Sequence, residues 1–231
     1  MTPVETLLEE LRSIAKDERD KGDRFEELML HAFRTDRTFQ QQFTNVWKWM
    51  DWPGRSGADI GVDLVATDAE GRLVAIQCKC YSPNTTLTKE EIDSFVALSG
   101  QKQWGRRIVV ATTDLWSTNA LKSLEGHAIP IERIGIDDLD AMTVEWSSYD
   151  LANPSGLRPK ERHTLRPHQI EALDAVRSGF ETSDRGKLIM ACGTGKTFTA
   201  LRIAEEHAGA GKSVLFLAPS IALVAQSLKE W

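Results

Sequence analysis

The sequence is poor in cysteine, with three in 231 residues, at positions 78, 80 and 192. Three widely split cysteines exclude a disulfide framework and fit a reducing cytosol, so a cytoplasmic location is expected. The sequence also lacks any apolar run near the roughly 20 residues a bilayer-spanning helix needs, so no membrane association is read from it. Its beginning, MTPVETLLEEL, is acidic and amphipathic and does not have the pattern of a secretory leader. Positive charge is not in excess either: 28 Lys and Arg against 34 Asp and Glu leave a net charge of −6. Any nucleic-acid binding must therefore use local basic patches. No internal repeat is present. What is there, 41% hydrophobic and 27% charged, is an ordinary globular composition, long enough for one large domain or two smaller ones.

The N-terminal part alternates helix and strand patterns. Thr2, Pro3 and Glu5 have the order of an N-cap, a first helical position and a capping-box acid. Val4, Leu7, Leu8, Leu11 and Ile14 continue at helical spacing. A second helix is expected over 22–35, with Phe25, Leu28, Met29, Ala32 and Phe33 as its apolar stripe. Residues 38–58 read as irregular, and hold Trp47, Trp49 and Trp52. Segments 60–67 and 72–80 read as a hairpin around the turn at 68–71. Then come a helix over 88–104, a buried strand over 107–112, a helix over 119–124, a strand over 130–134 and a short helix over 137–142. Residues 151–164, ending in ANPSGLRPKERHT, read as a linker between one domain over 1–150 and another over 165–231. In the second, a helix over 167–178, a strand over 187–191, a glycine-rich loop, a helix over 196–209, a strand over 213–218 and a last helix begin a parallel α/β sheet. Two parallel strands make a poor domain alone, so the chain reads as the N-terminal piece of something larger.

One strand carries an anomaly. LVAIQCKCYS (73–82) is apolar, yet Gln77 and Lys79 stand two apart and so point to one face, with Cys78 and Cys80 on the other. A lysine in a core strand is costly to bury without a partner. Across the turn lies Asp63, in IGVDLVA. An acid facing an amide and a lysine suits metal-assisted hydrolysis of a phosphodiester. Asp63, Gln77 and the backbone carbonyl of Cys78 would hold Mg²⁺ (or Mn²⁺), and the cation polarises the phosphate and acidifies a water. Lys79 would orient that water and stabilise developing charge. Glu26, at the core-facing edge of its helix, could supply the charge Gln77 lacks, whereas Glu27 points more toward solvent. The plainer reading of Asp63 and Lys79 is a half-buried ion pair. Cys78 and Cys80 read as core residues. The three tryptophans either stack on bases or cap the core. Asp59 is either an extra acid or a turn residue.

A second motif is MACGTGKT (190–197), after a strand and opening a helix, the setting a phosphate-binding loop requires. Backbone N–H groups of Gly193, Thr194, Gly195, Lys196 and Thr197 can cradle phosphates at the helix N-terminus. The Lys196 ammonium can reach the β and γ phosphates, and the Thr197 hydroxyl Mg²⁺. Met190 departs from the strict pattern, which has glycine there, and Cys192 reads as a packing residue. Gln169 lies upstream, in LRPHQIEAL (165–173). Its amide could bind adenine N6 and N7 as a bidentate pair.

These residues make the chain recognisable. Glu26 in DRFEELM, GADIGVDLVA around Asp63, AIQCKC with Gln77 and Lys79, and RIVVATT followed by STNAL resemble the Mrr-like branch of the PD-(D/E)XK nuclease superfamily, which uses Asp…Gln-x-Lys. The resemblance implies an α/β fold, a restriction-endonuclease-like mixed sheet flanked by helices. Gln169, the loop and VLFLAPSIALVAQ (214–226) are similar to the Q motif, Walker A and motif Ia of superfamily 2 helicases, implying a partial RecA-like domain that binds ATP-Mg²⁺, with Ser220 at the DNA backbone. The acidic Walker B strand, the second RecA-like lobe and its arginine finger are expected beyond residue 231, so this chain should neither hydrolyse ATP nor translocate. The order of parts resembles the single-polypeptide Type I (Type ISP) restriction–modification enzymes. That implies double-stranded DNA as substrate, cut when a translocase delivers the nuclease. Further translocase, methyltransferase and target-recognition parts are expected in the full-length chain. The chain itself should be a metal-dependent, sequence-nonspecific endodeoxyribonuclease. Two other readings fit: a nuclease–helicase of another anti-phage system without a methyltransferase, and a non-catalytic DNA-docking module.

Overall fold

The computed structural model describes residues 1–55, 61–161, 164–209, 212–221, 223–224 and 227. Asp59 lies outside them. The chain divides into two compact units, Met1–Glu161 and Arg162–Trp231.

The first unit opens with α1 (Pro3–Ile14), whose capping box forms: the Glu5 N–H donates to Thr2 Oγ1 and the Thr2 N–H to the Glu5 carboxylate, at 3.4 and 2.7 Å. Val4, Leu7, Leu8 and Leu11 are buried, whereas Ile14 at the last turn is exposed. Helix α2 (Glu18–Thr35) starts earlier than residue 22 because the Asp17 side chain accepts the Asp20 N–H and caps it there. Its expected stripe is buried.

Of the segment 38–58, expected to be irregular, the described residues as far as 55 contain the end of α3 (Arg37–Gln42), then β1 (Phe43–Lys48) and a single 3-10 turn over Trp49–Asp51. Phe43 and Val46 are buried, with a register shift between Phe43 and Asn45. That irregularity hides the period of two that would betray a strand. The expected hairpin is β2 (Leu64–Asp68) antiparallel to β3 (Leu73–Lys79). Helix α4 (Glu90–Ser99) leads to β4 (Trp104–Ala111), parallel to β3, and α5 (Thr118–Ser123) to β5 (Ile131–Ile134), parallel to β4. The mixed sheet has the order β1-β2-β3-β4-β5. After α6 (Ile136–Ala141), a two-residue strand β6 (Val144–Glu145) pairs with β7 (Arg158–Pro159). The stretch expected as linker is thus folded onto this unit as far as residue 160, and Leu157 within it is buried.

The sheet has two covered faces. Leu64, Ala66, Val74, Ile76, Cys78, Ile108 and Val110 pack with α1 and α2. Val65, Ala75 and Val109 pack with Phe95 of α4, Trp49 and Trp104. Of the two tryptophan readings, the core one describes Trp49 and Trp52: they are part of or packed on this second cluster, with ring centroids 5.6 Å apart. Trp47 is half-buried.

In the second unit, α7 (Pro167–Phe180) and α8 (Lys196–Ala208) match expectation. The strands expected over 187–191 and 213–218 form no ladder among the described residues. Ile189, Leu215 and Leu217 are instead largely exposed. A strand is stable only with hydrogen-bonded neighbours and a covered face, and neither segment has these here. Cys192 is exposed, which corrects its reading as a packing residue.

Candidate active site and phosphate-binding loop

The last assigned pair of the hairpin is Leu64 with Ile76, and Asp63 lies one residue ahead of it, opposite the same Ile76. The ladder continues through main-chain bonds on both sides of Asp63. Its N–H donates to the Ile76 carbonyl at 2.9 Å, and its carbonyl accepts the Trp49 N–H at 2.8 Å. Asp63 therefore stands just ahead of β2 and not within it, but its backbone is held as a strand residue. Its Oδ2 accepts the Cys78 N–H at 2.6 Å, where a backbone carbonyl of β2 would be. The side chain thus replaces the ladder as the two strands part. Main-chain groups of alternate strand residues face the same side. Ile76 points its carbonyl at β2, so the carbonyl of Cys78 faces the same opening beside the Asp63 carboxylate.

Gln77 is buried, 3% exposed. Its Nε2 donates to the Gly61 carbonyl at 3.3 Å, and its Oε1 is buried without a hydrogen-bond partner. An unpaired buried amide oxygen is costly in an apolar setting and is what a ligand site would leave. Lys79, half-buried, ends β3 on the same face. Beyond it the ladder is also closed by a side chain. The Thr112 N–H donates to the Lys79 carbonyl at 3.0 Å, while its hydroxyl donates to the Tyr81 carbonyl at 2.7 Å and accepts the Tyr81 N–H at 2.8 Å.

Carboxylates wall the opening from both sheet faces. From α2, Glu26 acts on Cys78: burial pushes this thiol's pKa well up, the Asp63 and Glu26 charges push it further, and Lys79 opposes them. Glu27 does not point to solvent as expected. It is ion-paired to Lys48 of β1 at 2.5 Å and bonded to His31 at 3.0 Å. Burial works against its ionised form, but Lys48 and then His31 outweigh it and hold the carboxyl below its usual range. From α4, Glu91 accepts the Thr88 N–H at 2.6 Å. Burial opposes its ionisation too, yet the Thr88 and Tyr81 bonds and the Lys79 charge keep it below the usual range. Sequence reasoning did not find Glu91, Thr112 or Gly61, because their proximity to the hairpin end comes from tertiary packing. Among the described residues no three His, Cys, Asp or Glu side chains form a metal cluster. The oxygen donors brought together here are one carboxylate, one amide and one main-chain carbonyl.

In the second unit, Gly193 and Gly195 adopt φ of +76° and +77°, the left-handed region that favours glycine, and lead into the N-terminus of α8. Lys196 folds back, its Nζ donating to the Ala191 carbonyl at 3.0 Å. Gln169 is buried and already engaged at both ends of its amide: Oε1 accepts the Arg166 N–H at 2.9 Å and Nε2 donates to the Thr194 carbonyl at 3.0 Å. Thr197 is half-buried in the first turn of α8. Ser220 is exposed, and its Oγ accepts the Leu223 N–H at 3.3 Å.

A mixed five-stranded sheet of order β1-β2-β3-β4-β5 flanked by helices defines a restriction-endonuclease-like fold. A restriction endonuclease family model matches residues 34–155, and one described as the Type III restriction enzyme res subunit matches residues 162–231. The chain belongs to the restriction endonuclease family. Among solved structures, the ATP-dependent Type ISP restriction–modification enzyme LlaBIII bound to DNA is similar with a TM-score of 0.77 and 34% identity, over 97% of this chain and 14% of its own. The MspJI restriction endonuclease in complex with a 27-mer oligonucleotide follows with a TM-score of 0.41 and 20% identity, over 60% of this chain and 30% of its own. The chain thus spans about 14% of the length of the Type ISP enzyme it matches. No curated protein matches it. No helix among the described residues is long and apolar enough to cross a membrane.

Proposed function

We propose that the first unit is a metal-dependent endodeoxyribonuclease that hydrolyses the backbone of double-stranded DNA, and that the second is the start of the ATP-driven motor that delivers it in a longer, Type ISP-like chain. The observation that carries the nuclease reading is the buried, unpaired Oε1 of Gln77, on the same face of β3 as Lys79 and next to Cys78, whose N–H donates to the Asp63 carboxylate. Asp63, Gln77 Oε1 and the Cys78 carbonyl are hard oxygen donors, which fit Mg²⁺ or Mn²⁺ and not a soft metal. Such a cation supplies Lewis acidity to the phosphodiester and lowers the pKa of a water. The chain's own residues do the rest. Asp63 carries the strand pair's one negative charge, Lys79 steers the attacking water and offsets charge developing on the phosphate, and Glu26 adds negative charge from α2.

In the motor unit, the N–H groups of Gly193 to Thr197 would receive the phosphates of ATP-Mg²⁺, with Lys196 leaving its carbonyl partner to meet them. Gln169 would serve adenine by exchanging its Arg166 and Thr194 partners for the base, and Ser220 the DNA backbone. The remaining translocase, methyltransferase and target-recognition parts belong to the full-length protein, and a cytoplasmic setting suits them. The test is plasmid cleavage with Mg²⁺ or Mn²⁺. Asp63→Ala and Lys79→Ala should each lower cutting by about 100-fold or more while circular dichroism and melting stay native. Full activity in either variant would refute the site, and DNA binding without cutting by the wild type under any metal would favour a docking module.

A further inference from the structure

Position 77 holds an amide where the superfamily pattern allows a carboxylate, and the structure contains a reason. The Gln77 amide is clamped at one end. Its Nε2 donates to the Gly61 carbonyl, while Oε1 is left without a partner. Position 61 has no room for a side chain. Its φ of +99° is strained for any residue with a side chain, and an added Cβ would lie 3.1 Å from Ser94 Cβ and 3.3 Å from the Phe95 nitrogen. The loop is therefore seated against α4. On its other side Val62 is buried and the Asp63 N–H is tied to Ile76.

We infer that the Gly61 carbonyl is a positioning group that dictates the residue at 77. It accepts only a donor, so it requires an amide, turns the Nε2 end inward and presents Oε1 as a neutral donor to the cation. The inference deepens the nuclease reading above and rests on it. A glutamate at 77 would place a carboxylate oxygen where Nε2 now lies, facing the carbonyl oxygen at about that 3.3 Å separation in a buried site. The consequence for chemistry is a matter of charge. With an amide at 77, the cation meets one negative charge fewer than a glutamate there would bring, beside those of Asp63 and Glu26, and so keeps more of its positive charge toward the anionic phosphodiester.

The test uses the whole chain labelled with ¹³C,¹⁵N-glutamine. In the metal-free protein the Gln77 side-chain amide protons should exchange at least about tenfold more slowly than those of exposed glutamines. Mg²⁺ should move the Gln77 Cδ resonance and leave that protection in place. Gln77→Glu, which restores the general carboxylate, should cut DNA about tenfold less or worse rather than better. Fast exchange, a Cδ resonance indifferent to Mg²⁺, or a Gln77→Glu variant that cuts as well as wild type would each overturn the inference. If that variant does not fold, the two resonance measurements on the wild type decide it. A wild type that does not cut, or a Lys79→Ala variant that does, would instead remove the nuclease reading, while the amide orientation would still be decided by exchange and Cδ.

Discussion

Arg107 shows how much a single side chain can carry when it is buried. It lies on β4 at 1% exposure, with Nε and Nη2 donating to the Ile129 carbonyl and Nη1 to Ser99 Oγ. These partners are neutral, so burial alone pushes its pKa down. Removing it would leave a cavity and strip the Ile129 carbonyl of its donors. Arg107→Ala should lose about 2–5 kcal/mol, read from urea unfolding. The neighbouring Arg106 is ion-paired at 2.7 and 2.6 Å to both oxygens of Glu132, but that pair is half open to water. Arg106→Ala should cost about 1 kcal/mol or less. The ranking is the opposite of what counting ion pairs suggests, because desolvation sets the cost of an orphaned polar group.

At the scale of elements, the β2–β3 hairpin positions the site, and its turn is held by Asp68. The carboxylate accepts the N–H groups of Glu70 and Arg72 at 3.1 and 2.8 Å and the Arg72 guanidinium at 2.7 Å. Burial opposes ionisation, but Arg72 and these N–H groups outweigh it and hold the carboxyl below its usual range. A lowered native pKa stabilises the fold above the unfolded value of about 4, and this is lost as pH falls through the lower native one. Asp68→Asn should therefore be less stable at neutral pH and show a flatter loss of stability in acid titrations followed by circular dichroism. The β6–β7 pair depends on a second buried acid, Asp36, whose Oδ2 accepts the Thr143 N–H and hydroxyl at 2.6 and 2.9 Å. The Lys160 N–H then donates to the Thr143 carbonyl at 2.8 Å and Arg37 to the Lys160 carbonyl at 2.6 Å. A segment that looks like linker by its prolines and charges is ordered by these partners more than 100 positions away in sequence for Asp36 and Thr143.

At the scale of the whole molecule, the two proposed chemistries fall in two compact units, and each should answer to its own residues. Lys196→Ala should weaken binding of a fluorescent ATP analogue by about tenfold or more, because it removes the loop's ammonium. The same variant should cut plasmid within about twofold of wild type, a surface change in one unit being nearly neutral for the other. Loss of cutting in that variant would mean that the loop acts on the nuclease in this chain.

Much of the candidate site's arrangement was legible because it is local. A period of two places Gln77 and Lys79 together, and a turn of four residues brings Asp63 beside them, just ahead of the neighbouring strand. The glycine-rich turn ahead of α8 was equally legible, since its residues are adjacent in sequence. Strand β1, the folded linker, the engagement of Glu27 with Lys48, the burial of Gln169 against its own loop and the second wall at Glu91 were not. Each depends on contacts between residues far apart in the chain, and no local pattern encodes which neighbour a side chain will meet. The missing strands of the second unit follow the same logic, for a strand's apolar letters state a preference that only hydrogen-bonded neighbours can realise. The amide at 77 unites the two levels. Its presence beside Lys79 is written in the sequence, but which of its ends faces the site was decided by the carbonyl of Gly61, held in place by the packing of that loop on α4.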